Sequence, residues 1–260
     1  CTSLKWIAIP GLTLSYGTIT AEVDRAYYLG GTFSPATAQF LALDIYAASP
    51  AWSSHSANIT DPGLGIMTQA ATSAYAASYG RDISFTLGGH RGGSVMKTVR
   101  FLANNAWNVG ADMINARGYF AAAAIRKATG GSKVYALGGV DSLGNRRDFV
   151  DVYDTDTGTW SAAPPLLAAR YSHAAAATAD AVYVFGGVGP NGVVATVERF
   201  MDGSWTPIAP IPTGVAQNIA AATGADGRIY VTGSTNAAVS VLDPRQAGGA
   251  TWYAGVSLPE

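Results

Sequence analysis

Tyr27, Phe85, Tyr135, Tyr183 and Tyr230 each stand three positions before a glycine pair. The pairs are Gly30-Gly31, Gly88-Gly89, Gly138-Gly139 and Gly186-Gly187, with Gly233-Ser234 as a degenerate fifth. A tryptophan follows each about twenty residues later, at Trp52, Trp107, Trp160, Trp205 and Trp252. From one first glycine to the next the spacings are 58, 50, 48 and 47 residues. A period of that size means one supersecondary unit copied in series. Because the copies run nearly end to end, the 260 residues read as one domain rather than two.

The third copy shows what the unit is. Tyr119 to Ile125 reads as a short strand of small residues, turned around Gly130-Gly131, and Lys133 to Leu137 as a second strand stopped by Gly138-Gly139. Phe149 to Tyr153 alternates apolar and polar residues as a half-buried strand does. After the turn cluster Asp154 to Gly158, a fourth strand starts at Thr159 and ends before Pro164-Pro165. The fourth copy repeats this order at Tyr171–Thr178, Ala181–Phe185, Thr196–Phe200 and Ser204–Ile208. The fifth does so at Asn218–Thr223, Arg228–Thr232, Val239–Leu242 and Thr251–Val256. The first strands carry alanine runs (Ala121 to Ala124, Ala174 to Ala177, Ala220 to Ala222), whereas the bulky Trp and Tyr residues fall on later strands. Strands that converge on an axis need small side chains inside and large ones outside, which is the requirement of a β-propeller. A helical reading of the alanines competes, but runs of at most four residues between Gly- and Pro-containing turns favour strands.

Composition excludes several classes. Charged residues make up 13% of the chain, against a usual share of about 25%, and the net charge is -1, so nucleic acid is not an expected partner. No apolar run approaches the ~20 residues of a transmembrane segment. Cys1 is the single cysteine, which excludes an internal disulfide framework and a thiolate-rich metal site. Low charge and the missing initiator Met lead to the expectation of a secreted or surface-exposed protein, with the cytoplasm as the alternative. Cys1 is a candidate lipid-bearing residue, and Asn58-Ile59-Thr60 is a glycosylation sequon.

On these residues the chain resembles the kelch-repeat family. The likeness is carried by the aromatic-x-x-Gly-Gly endings, most clearly Tyr135-Ala136-Leu137-Gly138-Gly139, by Tyr153-Asp154 with the trailing Trp160, and by Arg170-Tyr171-Ser172-His173 as a repeat start. The resemblance implies an all-β, kelch-type propeller of four-stranded antiparallel blades. The five blades are expected at about 12-60, 64-115, 117-165, 169-211 and 215-258. Trp6, lying 46 residues before Trp52, marks 1-10 as an extra outer strand. Kelch propellers often close with an N-terminal strand, so a six-bladed design is a further expectation.

The polar residues divide into two groups. Arg117 and Arg170 precede first strands, and with Tyr119, Tyr171, His173 and Asn218 they form a candidate ligand-binding set at the channel mouth. An arginine there could clamp a carboxylate in bidentate fashion, or bond neighbouring loop carbonyls instead. For His173, in an inner strand, a structural hydrogen-bonding role is the leading reading. His90 and Arg91 follow a glycine pair, and with Asp141, Arg146 and Arg147 they are candidate partner-binding loop residues. Asp148, Asp151 and Asp154 are expected on a solvated face. The glycine pairs close strands, so they read as turns and not as a phosphate loop, which would open a helix.

No catalytic residue, metal ligand or cofactor is assigned. Copper radical oxidases of the galactose oxidase type need a Tyr-Cys crosslink, and Cys1 alone does not suit one. Nitrile-specifier proteins use an acidic triad on one loop, which is absent. For a sialate-epimerase-like enzyme no general base can be placed, since Glu22, Glu198 and Glu260 are the only glutamates. The expected function is a non-catalytic protein-binding or structural module. A carbohydrate-binding or carbohydrate-active protein, a lectin or epimerase using the channel mouth, is the alternative.

Overall fold

The structure, a computed structural model, describes residues 18–21, 25–30, 39–44, 52–54, 70–91, 93–104, 106–212, 219–233, 236–246 and 250–255. Among them are five four-stranded antiparallel sheets, the blades of a propeller. Blade 1 contains β1 (Thr18–Ala21), β2 (Arg25–Gly30), β3 (Gln39–Asp44) and β4 (Trp52–Ser54). Blade 2 contains β5 (Ala70–Ala76), β6 (Arg81–Arg91), β7 (Ser94–Ala103) and β8 (Ala106–Val109). Blade 3 contains β9 (Ala121–Arg126), β10 (Ser132–Leu137), β11 (Val150–Asp154) and β12 (Thr159–Ala163). Blade 4 contains β13 (Ala174–Ala177) and β14 (Val182–Phe185), a small hairpin of β15 (Val188–Gly189) and β16 (Gly192–Val193), then β17 (Val197–Met201) and β18 (Ser204–Ile208). Blade 5 contains β19 (Ile219–Thr223), β20 (Ile229–Gly233), β21 (Asn236–Asp243) and β22 (Thr251–Ala254). The first strands stand side by side in the order β1, β5, β9, β13, β19 around the axis. The expected outer strand at 1-10, with Trp6, lies outside the described residues.

The middle strands β10, β11 and β14 are buried on both faces, and side-chain alternation sends successive residues to opposite neighbours. In β10, Val134 and Ala136 join the core shared with blade 2, while Tyr135 and Leu137 join the core shared with blade 4. In β14, Val182 and Val184 face blade 3, while Tyr183 and Phe185 face blade 5. Trp160, Trp205 and Trp252 each tie their outer strand to the segment entering their own blade. The indole N–H of Trp160 donates to the Ala111 carbonyl at 2.8 Å, that of Trp205 to Pro164 at 2.9 Å and that of Trp252 to Ala209 at 2.9 Å. In blades 3, 4 and 5 the rhythmic tryptophan thus uses its apolar body for packing and its N–H to fix the connection.

The glycine pairs have one geometry wherever they are described. The first glycine has φ of +51° to +59° and the second +101° to +103° at 88–89, 138–139 and 186–187. These angles suit glycine, and so does the crowding. A Cβ on Gly138 would lie 2.7 Å from the Arg170 carbonyl, and one on Gly88 2.7 Å from the Arg117 carbonyl. The close approach is used, because Gly89 N–H donates to the Arg117 carbonyl at 2.9 Å and Gly139 N–H to the Arg170 carbonyl at 2.8 Å. The pairs of blades 2 and 3 therefore clasp the segments that open blades 3 and 4.

Two sequence expectations are corrected here. First strands were expected to begin at Tyr119 and Tyr171, but β9 and β13 begin at Ala121 and Ala174. Tyr119 (φ +53°) and Ser172 (φ +51°) are left-handed, and the Ser172 N–H donates to the Tyr119 carbonyl at 2.9 Å, so strand conformation cannot start earlier. His90 and Arg91 were expected in a loop. In blade 2 the ladder passes the glycine pair through a bulge between Leu87 and Gly89, and His90 and Arg91 pair with Val95 and Ser94 as the end of β6.

The clasp predicts unequal costs for two glycine substitutions in neighbouring turns. Gly138→Ala combines positive φ with a backbone collision and should lower unfolding free energy by about 3 kcal/mol. Gly144→Ala, at φ +77° with nothing within 4 Å of the added Cβ, should cost about 1 kcal/mol. Urea titration of both variants tests this, and equal costs would refute the clasp as the reason for the glycine pair.

Candidate functional site

In a four-stranded meander, the second-to-third turn and the link to the next blade leave at one end, and the other two hairpins leave at the opposite end. The glycine pairs and the segments they clasp thus define one face, the clasp end. Among the described residues the axis offers little chemistry. Its cavity of about 440 Å³ is lined by Ala71, Ala122 to Ala124, Ala175 to Ala177, Ala221 and Ala222, with Thr72, Ser73 and Thr223 as its polar groups.

Arg117 and Arg170, candidates either for a ligand clamp at the mouth or for bonding neighbouring loop carbonyls, are buried and do the second. Arg117 is 1% exposed and Arg170 0%. The Arg117 guanidinium pairs with Asp151 at 2.7 Å and donates to the carbonyls of Asn115, Ala136, Gly138 and Phe149. Arg170 pairs with Glu198 and donates to the Ala168, Gly186 and Thr196 carbonyls and the Thr196 hydroxyl. The remaining carboxylate oxygens are occupied too. Asn115 donates to Asp151 from its backbone and side chain, both at 3.0 Å, and the Leu167 and Ala168 N–H groups donate to Glu198. Burial lowers the pKa of both arginines, and the facing carboxylate opposes it; both stay cationic at neutral pH. Asp151, expected on a solvated face, is 1% exposed because β11 is covered on both sides.

His173 lies beneath the clasp, 6% exposed, and its ring nitrogens make no hydrogen bond of ordinary geometry, so the expected structural hydrogen bond is replaced by packing. Burial and then the nearby Arg170 charge pull its pKa down to about 3, against a small opposing effect of the Leu137 backbone. Phe120 holds the equivalent place in blade 3. A Cβ on Gly187 would meet His173 Cβ at 2.8 Å, as one on Gly139 would meet Phe120 Cβ at 2.8 Å.

Above these buried pairs the clasp end carries an open cluster. The rings of His90 and Tyr119 are 5.0 Å apart, those of Tyr119 and Tyr171 are 6.1 Å apart and edge-on, and the Arg146 guanidinium lies 5.4 Å from the Tyr171 ring centre. Residues read from sequence as two sets, mouth and loops, thus meet in one row across blades 2, 3 and 4. Asp141 pairs with Arg147 and also accepts from Asn145 and Leu143. Partial burial pushes its pKa up, but these hydrogen bonds outweigh it and hold the carboxyl at about 2. Asp141 therefore braces its own loop. Asn218 and Asn58 lie outside the described residues. Around the row stand Ile114, Leu143, Leu167 and Val193, each at least half exposed, with Leu143 at 81%. Sequence reasoning missed these four, since nothing local marks an aliphatic residue in a connecting segment as exposed.

Two substitutions separate structure from ligand chemistry. Arg170→Met leaves Glu198 buried without its cation and should destabilise the fold by roughly 3–5 kcal/mol, part of it recovered by adding Glu198→Gln, which removes the charge and keeps an acceptor for the Leu167 and Ala168 N–H groups; calorimetry of the wild type and both variants checks this. His173→Phe copies blade 3. An ordinary histidine titrates near 6.5, whereas His173 stays neutral in the fold down to about 3. Its contribution is present in full above 6.5 and is lost as the pH falls towards 3. The variant should match the wild type at pH 7 and lose less stability between pH 6 and 4, which unfolding titrations across that range measure.

The family model of the Kelch motif matches residues 117–167. Kelch-like protein 25 of Rattus norvegicus is 35% identical over 137 residues, covering 48% of this chain and 22% of that protein. Kelch-like protein 35 of Mus musculus is 32% identical over 130 residues, covering 49% and 22%. Beta-scruin of Limulus polyphemus is 31% identical over 142 residues, covering 51% and 15%. The matched region is thus about a fifth or less of the length of these curated relatives. Among solved structures, that of YjhT superimposes with a TM-score of 0.66 at 18% identity, over 88% of this chain and 76% of that one, a likeness of fold. The glycine pair, the clasped arginine of blades 3 and 4 and the outer tryptophan are features this β-propeller shares with kelch-repeat proteins, and the Kelch motif itself is matched at residues 117–167.

Proposed function

We propose that the chain is a non-catalytic protein-binding module whose clasp end receives a partner. The observation that carries this reading is the unequal division of exposed side chains between the two ends. Ile114, Leu143, Leu167 and Val193 are exposed in clasp-end segments around the His90, Tyr119, Tyr171 and Arg146 row. At the opposite end no large aliphatic side chain is exposed among the described residues, and several charges are paired, Lys127 with Asp154 and Asp156, both at 2.7 Å, and Arg228 and Arg245 with Asp243. Aromatic and arginine side chains at the centre of an exposed aliphatic surface are the composition of protein interfaces. The kelch-like relatives are consistent with a protein partner.

The open edges of Tyr119 and Tyr171 also suit stacking on a sugar, which keeps the carbohydrate-binding reading as the rival. Both are tested together by immobilising the wild type, Leu143→Asp/Val193→Asp and, as a control at the opposite end away from the clasp, Arg81→Glu, at the exposed start of β6. A protein retained by the wild type and the control, and lost about tenfold or more with the double variant, is the expected result; tenfold corresponds to ~1.4 kcal/mol. Equal retention by all three refutes the clasp end as the interface. Saturable glycan binding on an array, lost in Tyr171→Ala, favours the carbohydrate reading instead.

A further inference from the structure

The gaps between blades are filled differently at successive interfaces. Between blades 2 and 3 an unbroken row of rings runs Tyr79, Phe101, Phe85, Tyr153, Trp160, with centres 6.0, 5.8, 5.9 and 5.2 Å apart. Between blades 3 and 4 the row is only Tyr135, Phe200, Trp205, at 5.9 and 5.1 Å. Register identifies the missing members. Phe101 lies opposite Phe85, and Val152 lies opposite Tyr135, so Val152 stands where blade 2 has Phe101. Tyr79 belongs to the first hairpin of blade 2, and the same hairpin of blade 3, residues 127–131, has Gly130-Gly131 and no ring.

The place of two rings is left as a groove of about 510 Å³ on the side of the propeller. Its apolar lining includes Tyr135, Val152, Phe200 and Met201, and its rim carries Lys133 from blade 3 against Asp180 and Asp202 from blade 4. All three rim residues are exposed. Asp180 and Asp202 sit on hairpins at the end opposite the clasp, so the groove is separate from the surface proposed above. Ser161 and Ala162 of β12 form part of the wall, and β12 is the outermost strand of blade 3 with no charged residue in it. Such an edge offers unpaired backbone groups to an added strand.

We propose that this groove docks an extended segment of a partner protein that inserts an aromatic side chain between blades 3 and 4 and places a basic residue against Asp180 and Asp202. The ring is specified by the neighbouring interface, which fills the same position with Phe101. The basic neighbour is specified by charge, since two carboxylates on the blade 4 rim face a single ammonium on the blade 3 rim. The extended conformation is specified by the open edge of β12.

The test is a titration of the isotope-labelled chain with acetyl-Arg-Trp-amide, and with acetyl-Glu-Trp-amide as the charge control, followed by backbone amide shifts. The Arg probe should give saturable shifts at Lys133, Val152, Ser161, Ala162 and Asp202, and the Glu probe should bind about fivefold more weakly. Val152→Phe, which supplies the missing ring from within, should abolish the shifts with the rest of the spectrum unchanged. Should that larger side chain disturb folding, the surface variant Asp180→Asn/Asp202→Asn decides, because it should bind both probes equally. No saturable shift at these residues, an unaltered titration in a folded Val152→Phe protein, or an unaltered preference for the Arg probe in the double variant overturns the proposal.

Discussion

The structure depends on one short backbone hydrogen bond made twice in the same way. Gly89 and Gly139 each donate to the carbonyl of the arginine that opens the following blade, at 2.9 and 2.8 Å. The same arginine then turns its side chain into its own blade, where it collects the carbonyls at the glycine-pair turn and the carboxylate of the third strand. One residue is thus held from behind by its backbone and holds forward by its side chain. The glycine pair and the buried arginine are two halves of one device, since a Cβ at the first glycine would fall within 2.7 Å of the arginine carbonyl.

That device accounts for how the chain spends its few charges. A buried ion pair is a poor source of net stability, because desolvation offsets its attraction, but losing one member leaves an uncompensated charge. Arg117 with Asp151 and Arg170 with Glu198 are therefore a constraint on which turn meets which strand more than a gain in stability. With their donors engaged, these arginines are structural, although their positions near the mouth resemble those of ligand clamps.

Much of this architecture was legible in the sequence, and the failures have physical causes. Glycine pairs, tryptophans and alanine runs exposed the blades because each marks a steric requirement that recurs at a fixed interval. Asp151 was misread because alternation along a strand identifies a solvent face only when the strand has one, and β11 is covered on both sides. The Arg117–Asp151 and Arg170–Glu198 partners lie 34 and 28 residues apart, so their meeting is visible only once register is known. The recurrence, in two successive repeats, of Arg just before the first strand and of an acidic residue within the third was the available signal. Tyr119 and Ser172 delay their strands through left-handed backbone, and neither residue type announces that conformation. His90 and Arg91 were placed in a loop because a glycine pair reads as a stop, whereas a bulge lets the ladder continue through it.

A frame that repeats this faithfully leaves specificity to what does not repeat. Among the described residues, the clasp, the indole tie and the alanine-lined axis each recur in more than one blade. The differences lie elsewhere: His90 on an extended β6, Tyr119 with its ring exposed, Leu143 at the tip of a loop braced by Asp141, and Val152 where a phenylalanine stands one blade earlier. The first three lie at the clasp end and the fourth opens the side groove. Each sits on backbone already secured by an interaction that does repeat. Such positions can change chemistry without loosening the ring, and recognition by a propeller of this kind is accordingly written in its exceptions.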